Sequence, residues 1–301
     1  CVELFESDEI QRVWNLRKAG LGLLMGLGKE SRTPAFCEDT AVRVKDLPAY
    51  VKDIETILDK HDTYCVFYAH ASVGELHFRP MIDTTSIEGV TKMKQMALEF
   101  AETVRRYRGS LSGEHGDGRA RTPFIEEVLG ADMTPLLERV KDIWDPESRF
   151  NPGKIVRAEP MEKSLRYSPE YRPLAAPTVF EWRKVGGFTH ALELCNGAGV
   201  CRKLAESGGT MCPSYMATRD EKDSTRGRAN VFRQVFSGGN PEGYDSKDLK
   251  DALSLCLSCK ACKSECPANV DMAKMKAEFM HGYHQKHGVS KKEEFFKERF
   301  K

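Results

Sequence analysis

Residues 256–267 read Cys256-Leu-Ser-Cys259-Lys-Ala-Cys262-Lys-Ser-Glu-Cys266-Pro267, and this stretch decides the fold of the second half of the chain. Its spacing matches the iron–sulfur pattern C-x2-C-x2-C-x3-C-P at every position. Three thiolates at this spacing can wrap one cubane cluster. A helix cannot continue normally through the proline, so the chain leaves the cluster there. The spacing therefore predicts a cluster-binding domain that transfers electrons.

A second run of cysteines lies upstream, with the spacing C-x5-C-x10-C-P. In two-cluster arrangements, the cysteine before proline serves the other cluster. This rule predicts two sets of ligands. The set for a 4Fe–4S cluster is Cys212, Cys256, Cys259 and Cys262. The set for the other cluster is Cys195, Cys201 and Cys266. Ala198 stands where the second set would have its fourth cysteine, and alanine offers no lone pair. A 3Fe–4S cluster, which the spacing favours, and a 4Fe–4S cluster with a non-cysteine ligand both remain open.

Three arginines nearby can compensate cluster charge or lie on a helix surface: Arg219, Arg226 and Arg228.

The cysteines have two alternative uses. A secreted disulfide framework requires a short, cysteine-dense chain, whereas Cys1, Cys37 and Cys65 are scattered over the first part of a long one. Zinc also binds C-x2-C pairs, but it favours two separated pairs over the run found here. Iron–sulfur ligation in a reducing compartment is therefore the preferred interpretation.

Composition excludes several classes of function. The chain has 301 residues, with 40% hydrophobic and 30% charged residues, which suits a globular protein of two domains. A net charge of +1 provides no basic footprint for nucleic acid. The sequence shows no run of about 18 apolar residues for a transmembrane segment and no basic region before an apolar stretch for a signal peptide. We expect a cytoplasmic protein, with a peripheral position at the inner face of the membrane as the alternative.

The fold class predicted is α+β. Residues 1–157 have the pattern of one α/β unit, and residues 158–187 form a proline-rich linker. Residues 188–288 have the pattern of an α-helical domain with the cysteine loops between its helices. Residues 289–301 are a charged connector.

The first domain contains two histidines seven residues apart, His70 and His77. A hairpin that turns at Ser72 to Glu75 would pair residue 70 with residue 77 and place both imidazoles on one face, about 4.5–5.5 Å apart at Cβ. Two imidazoles so placed can share a divalent cation. On spacing alone, ordinary core or surface histidines remain the alternative.

A second polar motif, Gly113-Glu114-His115-Gly116, follows a long helix predicted from Ser86 to Arg108. Glu114 offers a hard oxygen ligand, and His115 an acid/base group, in one turn. A glycine-rich solvent turn and a phosphate-binding loop are the alternatives. The occurrence of both motifs in one domain strengthens each.

These motifs together resemble the C-terminal domain of FAD-linked oxidases of the vanillyl-alcohol oxidase type, in particular the D-2-hydroxyacid dehydrogenase group. The resemblance covers residues 10–157 and includes the closing motif Asn151-Pro-Gly-Lys154. It implies a ferredoxin-like substrate (cap) domain. Its fusion to a two-cluster domain resembles the large bacterial FAD and iron–sulfur proteins of that group, whose best-fitting activity is D-2-hydroxyglutarate dehydrogenase. D-lactate and glycolate dehydrogenases are alternatives, as is a non-catalytic iron–sulfur electron-transfer subunit.

The resemblance also implies roles for residues. His70, His77 and Glu114 would hold a divalent metal, with zinc favoured, and His115 would be the general base on a 2-hydroxy acid. Arg17 on the first helix and Arg79 would bind substrate carboxylates, although relatives often have asparagine at the position of Arg79. FAD would be bound by an N-terminal domain for which residues 1–301 show no glycine-rich motif, so we expect a fragment. Electrons would pass to a quinone or a carrier protein.

Overall fold

A computed structural model describes residues 6–25, 33–237, 241–291 and 294. The chain divides into two units, which are treated separately below. The sheet unit comprises Glu30–Glu170, and the helical unit comprises Tyr171–Lys301 together with Cys1–Lys29. The predicted domain boundaries stay predictions, and the predicted connector 289–301 lies mostly outside the described residues.

The first helix, α1 (Ser7–Met25), belongs to the helical unit. Within its described residues, the sheet unit contains a three-stranded antiparallel sheet in the order β1-β3-β2 and four α-helices. Its elements are β1 (Thr40–Ala41), α2 (Leu47–Lys60), β2 (Cys65–His70), β3 (Glu75–Pro80), α3 (Ile87–Arg106), α4 (Ile125–Leu129) and α5 (Met133–Trp144).

Strand alternation separates a core face of the sheet from a polar face. Leu76 and Phe78 of β3 are buried in the same core as α2 and α3, and the ring of Phe78 lies 4.8 Å from that of Phe100. Because successive side chains of a strand point to opposite faces, His77 and its alternate neighbours lie on the other face. Helix α3 begins at a capping residue, Ser86, whose Oγ accepts a hydrogen bond from the amide of Gly89 at 3.0 Å.

The helical unit contains α6 to α11 in addition to α1. Their bounds are α6 (Phe188–Glu193), α7 (Pro213–Thr218), α8 (Thr225–Ser237), α9 (Lys247–Ala252), α10 (Ala261–Glu265) and α11 (Met272–His287). An aromatic core holds them together, with Phe232, Phe236 and Phe279 fully or almost fully buried. Glu278 of α11 is 1% exposed and accepts hydrogen bonds from Val179 N and Trp182 Nε1 at 2.7 and 2.8 Å. This carboxylate fixes the approach to α6 against α11.

The predicted α+β class is confirmed, because a small antiparallel sheet with helices is followed by a helical region whose described residues contain no strand. No helix in the described part of the chain combines the length and apolar character needed to cross a bilayer.

Candidate functional site

The hairpin of β2 and β3 carries both predicted histidine ligands. His70 pairs with Glu75, and His77 pairs with Tyr68, so the predicted pairing of residue 70 with residue 77 is wrong by two positions. A shift of two residues leaves a side chain on the same face. His70 and His77 therefore still share one face, with ring centroids 5.4 Å apart. Tyr68 stacks on His77 at 4.6 Å.

The turn of this hairpin explains the difference in register. The chain makes a 3-10 turn at Ala71–Val73 and continues through Gly74 with φ +77°. A Cβ atom on residue 74 would lie 1.9 Å from the carbonyl oxygen of Val42, so both the dihedral and the close approach require glycine. Glu75, predicted to be part of the turn, is instead the first residue of β3. It consequently lies on the same face as His77.

The loop that follows α3 brings Glu114 and His115 to the two histidines. Oε1 of Glu114 lies 3.8 Å from His70 Nε2 and 3.5 Å from His77 Nε2. The same oxygen lies 3.3 Å from His115 Nε2, and the rings of His77 and His115 stack at 5.4 Å. All four predicted side chains of the metal and catalytic site therefore lie together. Their roles stay predictions.

Asp39 holds this loop in place and was not found from the sequence. Its side chain is completely buried and accepts hydrogen bonds from the amides of Glu114 and His115 at 2.9 and 3.0 Å. It also accepts one from Ser112 Oγ at 2.6 Å, while the amide of Gly113 donates to the Asp39 carbonyl at 2.7 Å. The acidic pair at residues 38 and 39 before β1 was the only signal in the sequence.

Glu75 is a second residue that the sequence did not identify. It is 6% exposed, and its Oε1 lies 3.7 Å from His77 Nε2. Burial, the hydrogen bond to Asp39 and the charge of Glu114 raise the pKa of Glu75 to about 7. Burial alone would raise the pKa of Asp39, but hydrogen bonds from Glu75, Ser112 and two amides hold that pKa well below its ordinary value. Of these two carboxyl groups, Glu75 is therefore the one that takes up a proton more readily.

The surroundings of His77 favour the neutral imidazole that metal binding requires. Its side chain is 2% exposed. Burial, with a contribution from the neighbouring His115, lowers the pKa of His77 below its ordinary value. A neutral imidazole is the form that donates a lone pair to a metal.

The donor set fits a divalent metal. Among the residues that the structure describes, two groups of side chains have ligand atoms that all lie within 4.8 Å of one another: His70, Glu75, His77 and Glu114, and Asp39, His77, Glu114 and His115. Within the described structure, Glu75 Oε1 is buried without a hydrogen-bond donor. Such an atom costs about 1–3 kcal/mol, which a cation at this position would offset. Imidazole nitrogens with carboxylate oxygens suit zinc and other first-row ions.

The two arginines predicted to bind substrate lie in different units. Arg79 lies on β3 beside the site, where Glu38 holds its guanidinium through contacts of 2.7 Å at Nη2 and 2.6 Å at Nε. Arg17 lies on α1, with its guanidinium 5.5 Å from the ring of Trp14. The substrate-binding role of each stays a prediction.

The first predicted cluster site is a formed cavity in the helical unit. This small cavity is lined by all four predicted ligands. These are Cys212, Cys256, Cys259 and Cys262. Cys212 and Cys262 are buried, whereas Cys259 is exposed. Four thiols around one cavity are the donor set of a cubane cluster, so the residues fit that group.

The second predicted site lies in the same helical core. Cys195 and Cys201 are buried, and Cys266 packs against the core that contains them. Burial, together with the neighbouring thiols of Cys195 and Cys212, raises the pKa of the Cys201 thiol, while the amide of Arg226 donates to its Sγ at 3.3 Å. Ala198 is exposed in the loop between Cys195 and Cys201. The nature of the second cluster stays a prediction.

Comparison with known proteins assigns both halves of the chain. Residues 4–155 match the family of FAD linked oxidases, C-terminal domain, and residues 194–271 match a 4Fe-4S dicluster domain. The D-2-hydroxyglutarate dehydrogenase of Haemophilus influenzae is 30% identical over 94% of this chain and 30% of its own length. The enzyme of that name from Escherichia coli is 29% identical over 94% of this chain and 31% of its own.

A glycolate oxidase subunit of Bacillus subtilis is 29% identical, but over 50% of this chain and 31% of its own length. The chain thus spans about 30% of the length of the relatives that match it throughout. The family match covers about half of the chain and includes the histidine hairpin and the Glu114 loop. The chain therefore belongs to the family of FAD linked oxidases, of which it contains the C-terminal domain.

Proposed function

We propose that this chain is the substrate-binding and electron-transfer part of a flavin- and metal-dependent dehydrogenase that oxidises a D-2-hydroxy acid to the 2-oxo acid. D-2-hydroxyglutarate is the proposed substrate, because the relatives that align with 94% of the chain bear the name of its dehydrogenase. Relatives named for D-lactate and glycolate align with 50% of the chain. Residues 1–157 would form a ferredoxin-like substrate domain, 158–187 a linker and 188–288 the iron–sulfur domain.

The observation that carries this proposal is the convergence of His70, His77 and Glu114 beside a further histidine. Two imidazoles and one carboxylate would hold the metal and leave positions open for substrate, as catalytic rather than structural sites do. A bound divalent metal, zinc or another first-row ion, would act as a Lewis acid and lower the pKa of the substrate hydroxyl.

We propose that His115 removes the proton from that hydroxyl. Its Nε2 faces the ligand group, and its Nδ1 lies 3.7 Å from Asp39 Oδ2 and 3.8 Å from Glu38 Oε1. Carboxylates behind the ring stabilise the imidazolium that forms when Nε2 accepts a proton. The His115 side chain is 41% exposed, so it can pass the proton on to solvent. Arg79 and Arg17 are proposed to orient the carboxylates of the substrate.

FAD would accept the hydride from the substrate and would be held mainly by a domain outside this chain. Helix α5 supports such a partner, because none of its residues is buried. Its apolar side chains form an exposed face, made of Leu136, Val140, Ile143 and Trp144, which are 50–81% exposed. An apolar face of this kind marks an interaction surface. We assign it to the flavin-binding domain.

The clusters would carry electrons one at a time from the flavin to a quinone or a carrier protein. Cys212, Cys256, Cys259 and Cys262 are proposed to hold a 4Fe–4S cluster. Cys195, Cys201 and Cys266 are proposed to hold the other, as a 3Fe–4S cluster or a 4Fe–4S cluster with a non-cysteine ligand. A cytoplasmic position, with access to the inner face of the membrane, would suit either acceptor.

The test uses the complete protein, including the flavin-binding domain. Its metal content is measured beside its oxidation of D-2-hydroxyglutarate, D-lactate and glycolate with a dye as electron acceptor. We expect one non-iron divalent metal per chain and fastest turnover of D-2-hydroxyglutarate. The variant His77→Asn should lose both that metal and turnover.

The matched control is His61→Asn, the same change at a histidine that pairs with Glu99 at 2.9 Å elsewhere in the sheet unit. It should keep metal and turnover. A protein that contains iron alone and oxidises none of the three acids would instead be an electron-transfer subunit. Full turnover by His77→Asn would refute the metal site.

A further inference from the structure

The structure separates three arginines that the sequence could not distinguish. Arg219 is exposed at the end of α7. Arg226 is partly exposed, and Glu221 neutralises it through contacts of 2.8 and 3.0 Å. Arg228 is completely buried, although it lies only two residues further along α8. A fully buried guanidinium is rare and requires a specific explanation.

Arg228 lies in the wall of the first cluster cavity. Its Nη1 is 3.5 Å from Cys212 Sγ and donates to Ser214 Oγ at 3.0 Å. Its Nε donates to the carbonyl of Ala252 at 2.7 Å, which fixes the guanidinium plane. Its Nη2 lies 3.4 Å from Oδ1 of Asp223, which is itself 2% exposed. The positive group therefore stands between a buried carboxylate and a cluster thiol.

The position of the Arg228 guanidinium bears on the reduction of the cluster. When one electron enters a cluster held by four thiolates, its total negative charge increases by one. A positive charge close to a ligand sulfur, in a site shielded from water, stabilises the reduced form more than the oxidised form. A guanidinium suits this purpose because it remains charged even when buried.

We propose that Arg228 raises the reduction potential of the cluster held by Cys212, Cys256, Cys259 and Cys262 through its contact with the sulfur of Cys212. The inference rests on the proposed function, since it requires that cluster to be present. Arg228 acts through Cys212 and is a positioning residue.

The experiment is a redox titration of the full chain, reconstituted anaerobically with iron and sulfide, with dithionite as the reductant. The signal of the reduced cluster is followed by electron paramagnetic resonance, and Cys256→Ser identifies which signal belongs to this site. Arg228→Gln should lower the equilibrium constant for reduction at least about tenfold, which is a shift of 59 mV for a one-electron couple. Arg228→Lys should shift the reduction potential much less, because lysine keeps the positive charge.

Two further variants test the electrostatic cause. Arg228→Gln combined with Asp223→Asn removes the carboxylate that would otherwise remain unpaired, so its shift should lie between those of the single Gln and Lys variants. Arg219→Gln removes a charge of the same kind from an exposed position and should leave the potential unchanged.

A wild-type potential in Arg228→Gln would overturn the inference. Loss of the cluster from all three Arg228 variants would also overturn it, because Arg228 would then serve to retain the cluster. If the wild-type protein shows no signal that Cys256→Ser removes, the proposed cluster itself is wrong. The two failures are therefore distinguishable.

Discussion

Replacement of Asp39 by asparagine should weaken metal binding, although Asp39 lies behind the proposed ligands. The variant keeps the shape of the side chain and one acceptor oxygen, but it loses the charge. In the native structure Oδ1 accepts from the amide of Glu114, and Oδ2 accepts from the amide of His115 and from Ser112 Oγ. If the amide nitrogen of asparagine took the position of Oδ2, its N–H groups would point at two other donors, the amide of His115 and Ser112 Oγ.

The size of the effect follows from these contacts. A hydrogen bond to a charged acceptor contributes about 1.5–3 kcal/mol, and two are lost. Only the fraction of this lost free energy that is expressed as a displacement of Glu114 weakens metal binding. Substitution of a residue that orients a ligand typically reduces metal affinity about 10–100-fold, or about 1.4–2.8 kcal/mol. We expect Asp39→Asn to fall in that range.

The assay is a competition titration of zinc against a chromogenic chelator, with unfolding in urea measured in parallel. Glu278→Gln is the matched control, since Glu278 is also a buried carboxylate that accepts three hydrogen bonds, at Val179, Phe180 and Trp182. It should destabilise the helical unit and leave the zinc Kd unchanged. A zinc Kd for Asp39→Asn within threefold of the wild-type value would refute the positioning role.

Three further predictions follow from the described contacts. Gly74→Ala should lower the free energy of unfolding by about 1–3 kcal/mol or more, because it adds a clash with Val42 O to an unfavourable dihedral. Gly130→Ala, with φ +92° and open space around it, should cost less in the same urea titration. Burial raises the pKa of Cys65 from 9.0 to about 12, so its thiolate fraction at pH 8 is about a thousandfold below that of an ordinary thiol. Mass spectrometry after iodoacetamide treatment at pH 8 should therefore find Cys65 modified far more slowly than a free thiol; equally rapid labelling would contradict the raised pKa. Removal of the divalent metal from the complete protein with a chelator should abolish substrate oxidation but leave its iron content, and added zinc should restore turnover.

Local patterns predicted those parts of the molecule whose geometry depends on near neighbours. The spacing of Cys256, Cys259 and Cys262 indicated one cavity because a short loop can only bring them to one place. The starts of α3 and α11 are local in the same sense, because the capping side chains of Ser86 and Asp271 accept hydrogen bonds within their own first turns. His70 and His77 were placed on one face correctly, since that result is the same for both registers.

The features that the sequence did not predict depend on contacts between residues far apart in the chain. The hairpin register depends on the approach of Gly74 to Val42, which no pattern within the hairpin reveals. Asp39 accepts from an amide 75 residues further along the chain, so its role exists only in the folded protein. Arg226 and Arg228 are alike in sequence, and only the packing of α8 decides which of them is buried.

The exposed face of α5 also gives this protein an optical reporter. Trp144 is 81% exposed, whereas Trp182 is 5% exposed and donates its Nε1 hydrogen to Glu278 at 2.8 Å. Indole emission moves to shorter wavelength when water is removed, and a nearby flavin quenches it by energy transfer. Covering of α5 by a flavin-binding domain should therefore blue-shift and dim the emission of Trp144 while that of Trp182 stays constant. Assembly with the proposed flavin-binding domain can thus be followed in real time by intrinsic fluorescence, with Trp144→Phe as the blank.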